Sequence, residues 1–348
     1  MAWWTPEVFA RRRAILEGRS AILATVRGFF AERAFIEVET PALQPCPGLE
    51  PHIKVFETCL EEPFGSRRQR LYLHTSPELA MKKLLVAGLS RIFQVARAYR
   101  NGERSPTHHP EFSMLEWYRT GADYRHLMAD CEALLSACLT AVGETVFRWR
   151  GVACDPTRPW EYLTVAEAFA RMTGIDLLAT LSSPEDSDPD PTRLKAEAGR
   201  IGIASGENDR WEDVFFRVFL ERIEPDLGLS VPTILYDYPA PLAALSRRKM
   251  QDPRLAERFE LYVCGLELAN AFSELTDPKE QRHRFLLDQA LRQRLYGQTL
   301  PLDEEFLAAL EWGLPECAGI ALGLDRLVML ATGAETLEEV LWVPVSSA

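Results

Sequence analysis

The sequence predicts an α+β protein with a mainly antiparallel sheet flanked by helices. Three observations carry that expectation. Apolar alternation at 92–100 and 112–118, joined by a polar loop, makes a hairpin. Helical periodicity marks 6–33, 124–139 and 165–172. The helices interrupt runs of strands without a regular strand–helix–strand beat, so a parallel, doubly wound sheet is not expected.

In the first helix, Val8, Ala14, Ile15, Ile22, Val26 and Phe29 are spaced for one buried face. Residues 35–41 then alternate and stop at Pro41, as an edge strand does. Ser76-Pro77 opens the next helix, with serine as N-cap and proline at the first position, and Gly88 ends it. After the hairpin and two helices, 182–191 is acidic, proline-rich and nearly free of apolar side chains, which predicts a surface loop. Strands return at 234–238, 258–268 and 318–322, and a closing helix at 325–331. There is no internal repeat.

At 348 residues the chain is long for one ordinary domain, yet a single sheet-centred unit spanning 1–348 accommodates it. An apolar fraction of 47% allows a large core without disulfides. A formal charge of −12 argues against broad binding to tRNA or DNA, which needs clustered lysine and arginine. The seven cysteines are scattered and never spaced as Cys-x-x-Cys. That pattern suits a reducing, cytoplasmic setting with neither a disulfide framework nor a zinc site. No run of 18 apolar residues occurs, so no membrane span is expected. The first 20 residues carry Arg11-Arg12-Arg13 beside Glu7 and Glu17, an amphipathic helix rather than a leader peptide.

Three separated stretches carry groups suited to ATP and Mg²⁺. Ala96, Ala98 and Arg100 share one face of a hairpin strand, as Phe112, Met114, Glu116 and Tyr118 do on its partner. The alanines leave space above the sheet, so Arg100 can fork onto phosphate oxygens and Phe112 can stack on a base. An amphipathic hairpin with one solvated arginine is the plainer alternative. Further on, Gly319 and Gly323 keep a strand bare, and Asp325-Arg326 opens a helix whose positive end can face a phosphate. More plainly, that is a buried strand followed by Asp325 as N-cap.

Glu267 and Glu274 are the candidates for Mg²⁺, which takes a few carboxylates plus substrate phosphates. Their spacing is odd, so they converge only if the segment bends after Asn270 or Phe272. Glu78 follows Ser76-Pro77 into a first helical turn, where a carboxylate is favourable anyway. Facing a pocket, it would grip an amine. No Ser-His-Asp or Cys-His arrangement is evident. Attack of an already ionised carboxylate on the α-phosphate of ATP needs no base, so positioning and charge neutralisation suffice.

These motifs resemble class II aminoacyl-tRNA synthetases of the lysyl branch, and most closely the shorter ligases that attach lysine to elongation factor P. The resemblance runs over about 6–343. Its carriers are the strand ending at Pro41, His74-Thr75-Ser76-Pro77-Glu78, the 110–118 segment, Glu267-Leu268-Ala269-Asn270 and Gly323-Leu324-Asp325-Arg326. It implies a class II synthetase-like catalytic domain, the cofactors ATP and Mg²⁺, and a homodimer formed through the strand at Pro41.

By this resemblance, Arg100, Asn101, Gly102, Glu103, His109, Glu267, Leu268 and Gly323 bind ATP. Phe112 stacks on adenine and Arg326 takes the γ-phosphate, Arg100 and Arg326 being the catalytic pair. Ser76, Pro77 and Glu78 hold an α- or β-amine, Tyr118 and Glu274 hold the side-chain ammonium, and Ala321 shapes the pocket. Glu267 and Glu274 also ligate Mg²⁺.

Lysyl-tRNA synthetases carry a separate N-terminal anticodon-binding barrel, which is not expected here. The implied acceptor is therefore a lysine of elongation factor P rather than tRNA. Ala321 points the same way, since the synthetases usually carry glycine there and the ligases alanine. One methyl group shifts discrimination by roughly 1–3 kcal/mol. Two positions depart from the family pattern: Gly102 replaces a glutamate and Ala271 a glycine.

The implied activity is activation of (R)-β-lysine, or lysine, as an adenylate, with transfer to the factor. A minimal enzyme charging an RNA acceptor and a silent nucleotide-binding paralogue are the alternatives.

Overall fold

The computed structural model describes residues 3–64, 68–181, 188–243 and 245–345. Helix α1 (Pro6–Glu32) starts at a proline, whose missing N–H has no partner to lose in a first turn. It buries Leu16, Arg19, Ile22, Val26, Phe29 and Phe30. Ala14, expected on that face, is exposed. Then come β1 (Ile36–Glu37), β2 (Leu43–Gln44), β3 (Phe56–Glu61), β4 (Arg68–Leu73), α2 (Glu78–Val86), β5 (Arg91–Tyr99) and β6 (Glu111–Thr120). The middle of the chain forms α3 (Tyr124–Ala141), β7 (Phe147–Trp149), β8 (Val152–Cys154), β9 (Glu161–Thr164), α4 (Val165–Thr173), α5 (Thr192–Arg200) and α6 (Trp211–Arg222). The last third forms β10 (Thr233–Pro239), β11 (Leu255–Val263), β12 (Leu266–Ser273), α7 (Pro278–Tyr296), α8 (Glu304–Gly313), β13 (Cys317–Gly323), α9 (Leu324–Thr332) and α10 (Leu337–Val340).

Eight strands make one sheet in the order β1-β5-β6-β13-β12-β11-β10-β9. Among the described residues only the outermost pairs of this sheet, β1 with β5 and β9 with β10, are parallel. The sheet is thus mainly antiparallel, as expected. The edge strand at 35–41 is shorter than its alternation suggests, with only Ile36 and Glu37 in register with β5. Ser76 lies outside α2, yet its Oγ accepts the N–H of Glu78 at 3.0 Å, so it still satisfies a first-turn donor. Part of the expected acidic loop, 182–187, lies outside the described residues.

The strand expected at 258–268 is two strands. Cys264 (φ 54) and Gly265 (φ 77) form a two-residue turn with positive φ at both positions, and β11 and β12 pair across it. Cysteine in the first turn position conceals a signal that asparagine or aspartate would announce.

Alternation assigns the two faces of the sheet. Leu115 and Trp117 of β6, and Phe259, Leu261 and Val263 of β11, join α1, α3 and α9 in the main core. On the other face, Tyr262 packs with α4 and α6, while Tyr118 packs with α2 and α8. Between those two smaller cores the sheet remains open.

Arg19 joins the layers. Its Nη1 meets Asp325 Oδ1 at 2.6 Å, and its Nη2 donates to Ser113 Oγ at 2.7 Å. The Ser113 N–H donates to Asp325 Oδ2 at 2.7 Å, and Val340 O accepts from Arg19 Nη1 at 3.2 Å. Both charged side chains are nearly inaccessible, at 3% and 2%. Asp325 is therefore no N-cap: it occupies the second position of α9, with Gly323 capping. Substituting Arg19→Met should cost about 3–5 kcal/mol, because the Asp325 carboxylate would stay buried without its cation. Urea unfolding checks this, and a loss below about 1 kcal/mol would contradict it.

Candidate active site

The opening is a cavity of about 420 Å³ above β6, β13, β12 and β11. Its floor follows from register. Gly319 stands opposite Tyr118, Ala321 opposite Glu116 and Gly323 opposite Met114, so small residues of β13 face large ones of β6. A Cβ on Gly319 would sit 2.1 Å from Tyr118 Cε1 and 2.4 Å from Glu274 Oε1. Glycine is what admits both side chains. Ala96 and Ala98, expected to floor the pocket, are buried opposite Met114 and Phe112 and do not line it.

One end is cationic. Arg100 places its guanidinium 5.2 Å from the centroid of the Phe112 ring, and its Nε has no hydrogen-bond partner among the described residues. Arg326, about 100° around α9 from Asp325, donates to Glu267 O at 2.6 Å and Thr107 O at 3.3 Å. Its Nη2 also meets His108 Nε2 at 2.9 Å. Burial first, then the charge of Arg326, holds the His108 imidazole below its ordinary pKa. His109, the histidine expected at the nucleotide, also lines the cavity. Its Nε2 accepts the Val345 N–H at 3.2 Å, so Nδ1 is the protonated nitrogen and donates to Glu111 O at 2.6 Å.

The other end is anionic. Ser76 Oγ donates to Glu116 Oε1 at 2.6 Å, and Tyr118 OH donates to Glu116 Oε2 at 2.8 Å. Lys82, only 1% exposed, sits 2.5 Å from Glu78 Oε1 and 2.5 Å from Glu274 Oε2. Burial first and then the charge of Glu78 push Glu116 up to about 8. Burial also pushes Glu274 up to about 7, although Lys82 opposes the rise. Burial would lower Lys82, but Glu274 and Glu78 reverse this and leave it raised.

The expected Glu267–Glu274 pair is not assembled. From Ala269 to Ser273, β12 stays in unbroken register with β13, without the anticipated bend after Asn270 or Phe272. The irregularity comes earlier, where Tyr262 pairs with Glu267 but Leu261 pairs with Ala269, leaving Leu268 as the extra residue of a bulge. The bulge corrects the odd spacing by putting Glu267 on the face of Asn270 and Phe272. It does not bring the carboxylates together, because about six strand steps leave their Cα atoms roughly 20 Å apart. One Mg²⁺ with bonds of about 2.1 Å cannot span that gap. The like charge beside Glu267 is Glu260 of the adjacent strand, and burial followed by Glu260 pushes Glu267 up to about 7.

Comparison with known proteins decides the lineage. The profile of tRNA synthetases class II (D, K and N) matches residues 8–347. The chain is 40% identical to the elongation factor P–(R)-β-lysine ligase of Proteus mirabilis, over 100% of this chain and 99% of that one. It is 39% identical to the same ligase of Haemophilus ducreyi over 95% and 93%, and 40% identical to that of Vibrio cholerae over 96% and 96%.

The chain belongs to the class II tRNA synthetase family. Of the residues expected to serve this class II site, Ser76, Glu78, Arg100, Glu103, His109, Phe112, Tyr118, Glu267, Leu268, Glu274, Ala321, Gly323 and Arg326 all line the cavity. Pro77, Asn101 and Gly102 do not. Asn101 and Gly102 form the turn after β5, where Gly102 has φ +81, a conformation that explains glycine in place of glutamate. Ala271 faces the main core rather than the pocket, so its methyl group does not touch the class II cavity.

Sequence reasoning missed Lys82, Arg258, Glu260 and the inward role of Glu116. Lys82 had a local signal, its i,i+4 spacing from Glu78. Arg258 and Glu260 had none, being aligned with Phe272 and Asn270 only by strand pairing. Gly319→Ala should lower amino-acid-dependent ATP–pyrophosphate exchange at least tenfold while leaving the thermal midpoint within a few degrees. Wild-type exchange in that variant would show that Tyr118 and Glu274 do not need the bare strand.

Proposed function

We propose that this protein is an ATP-dependent ligase that activates (R)-β-lysine, or lysine, as the aminoacyl-adenylate and passes it to a lysine side chain of elongation factor P. The observation that carries this reading is the end-to-end identity of 40% with a relative named for that ligation. The chemistry of the cavity supports it. Glu78, Glu116 and Glu274 around a single lysine suit a substrate bearing two ammonium groups. Arg100, Arg258 and Arg326 suit a triphosphate at the other end.

In the first step an oxygen of the amino-acid carboxylate bonds to the α-phosphorus as the bond to pyrophosphate breaks. That oxygen is ionised at pH 7, so orientation is the protein's main task. Arg100 and Arg326 hold the phosphates, and Phe112 stacks on adenine. In the second step the neutral amine of the acceptor lysine bonds to the acyl carbon, AMP leaves with the bonding pair, and the nitrogen gives up one proton to leave the amide.

Glu267 fits Mg²⁺, because a buried carboxylate crowded by Glu260 is relieved by a dication. When bound, the ion supplies neutralisation of phosphate charge. Glu274 belongs instead with Glu78 at the amine end. The reading includes a homodimer formed through the edge at β1 and a cytoplasmic setting, the latter supported by seven free cysteines, six of them buried.

Enzyme, ATP, Mg²⁺ and (R)-β-lysine offered elongation factor P and bulk tRNA together should add one lysyl mass to the factor and leave the RNA unlabelled. Labelled tRNA beside an unmodified factor would restore tRNA charging.

A second test uses pH. A proton and an ammonium compete for Glu274, which lines the cavity and whose pKa is raised to about 7. The KM for the diamine should therefore fall as pH rises from 6 to 8, by at most about tenfold per unit below the pKa. A flat profile would remove Glu274 from amine binding.

A further inference from the structure

Lys82 is a buried cation between Glu78 and Glu274, the two carboxylates of the amine end, which by the resemblance hold different ammonium groups of the substrate. Its ammonium is 1% exposed and does not line the cavity, although both its partners do. It takes one oxygen from each: Oε1 of Glu78 and Oε2 of Glu274. The other oxygen of Glu274 points at the space vacated by Gly319 and has no hydrogen-bond partner among the described residues. Glu78 likewise keeps one oxygen outside this clamp. Because each contact is 2.5 Å, the two clamped oxygens lie no more than about 5 Å apart.

We infer that Lys82 is a positioning residue that fixes the distance between the two amine-binding carboxylates and thereby selects among diamino acids by the separation of their ammonium groups. This rests on the ligase reading and deepens it. Without the clamp, Glu78 and Glu274 repel and move apart, since like charges in a poorly solvated site cannot stay adjacent. The site also changes charge, from three carboxylates and one ammonium to three carboxylates alone. β-Lysine has one methylene fewer between its amines than α-lysine. A short, rigid spacing therefore favours the β isomer, and a relaxed one loses the preference.

The Lys82 ammonium meets Glu78 and Glu274 and does not line the cavity, so the effect falls on KM rather than on kcat. Salt bridges elsewhere on the surface have no such geometry to transmit. Arg13–Glu17, for example, is more than half exposed on both sides.

The test is ATP–pyrophosphate exchange with (R)-β-lysine and with α-lysine for wild type and Lys82→Met, with thermal melts alongside. In K82M the KM for β-lysine should rise at least tenfold and kcat change less than threefold, and the β-to-α ratio of kcat/KM should move toward one. Equal losses for both substrates, or a loss confined to kcat, would overturn the inference and leave Lys82 a structural counter-charge.

If K82M does not fold, Lys82→Arg provides the same test. Its broader fork spaces the two carboxylates farther apart, so β-lysine should suffer more than α-lysine. A parallel loss would again overturn the inference. Wild-type enzyme silent with both diamines would overturn the ligase reading itself, and this inference with it. An active wild type with unchanged discrimination in the variants would overturn the inference alone.

Discussion

The site depends on a buried ion pair between two distant segments of the chain. Arg19 of the first helix meets Asp325 at the start of α9, and Ser113 of β6 is bonded to both. Two charges removed from water cost several kcal/mol each, and such a pair is tolerable only when its hydrogen bonds are satisfied. Here Asp325 accepts from the Ser113 amide, and Arg19 also donates to Val340 O. With Asp325 turned inward, the next residue on the helix is turned about 100° around the axis, which brings Arg326 to the cavity. The same contact sets where α9 begins, and with it the end of the bare strand β13.

Above that foundation the cavity separates charge by strand. On its cavity face β13 carries only Gly319, Ala321 and Gly323, so its neighbours lean over it: Tyr118 from one side and Glu274 from the other. The bulge at Leu268 gives β12 two duties. Glu267 before it faces the arginines, and Glu274 beyond it faces Lys82. A regular strand would have sent one of these carboxylates into the apolar core, where neither could be solvated or paired. Opposite ends of one cavity thus prefer opposite ligand charges, which suits a reaction joining a polyanion to a dication.

Much of this was legible in local pattern. The hairpin of β5 and β6, the shared face of Phe112, Met114, Glu116 and Tyr118, and the glycine-punctuated strand before α9 all follow from period-two or helical spacing. What escaped depends on register between distant segments. The Cys264-Gly265 turn lacks the usual asparagine, so β11 and β12 merged. Helix α7 is polar around most of its surface, burying only Gln281, Phe285 and Arg292, so its periodicity is faint. The true neighbour of Glu267 is set by a bulge, and that of Glu274 by a lysine almost two hundred residues away in sequence. Spacing along the chain encodes neither.

The join between Arg19 and Asp325 also has a temporal side. The partners are 306 residues apart, and the Val340 carbonyl on the same guanidinium is farther still, at 321. At about 5–20 residues per second a ribosome takes roughly 15–60 s to deliver the second partner after the first. Throughout that interval the opening helix has its apolar face and an unmatched guanidinium but no completed sheet to cover them. The nascent chain is therefore obliged to wait, with its beginning unfinished, until its own last helices emerge. Closure of the molecule waits for α9 and α10, and premature termination anywhere before α9 leaves the first helix without its anchor.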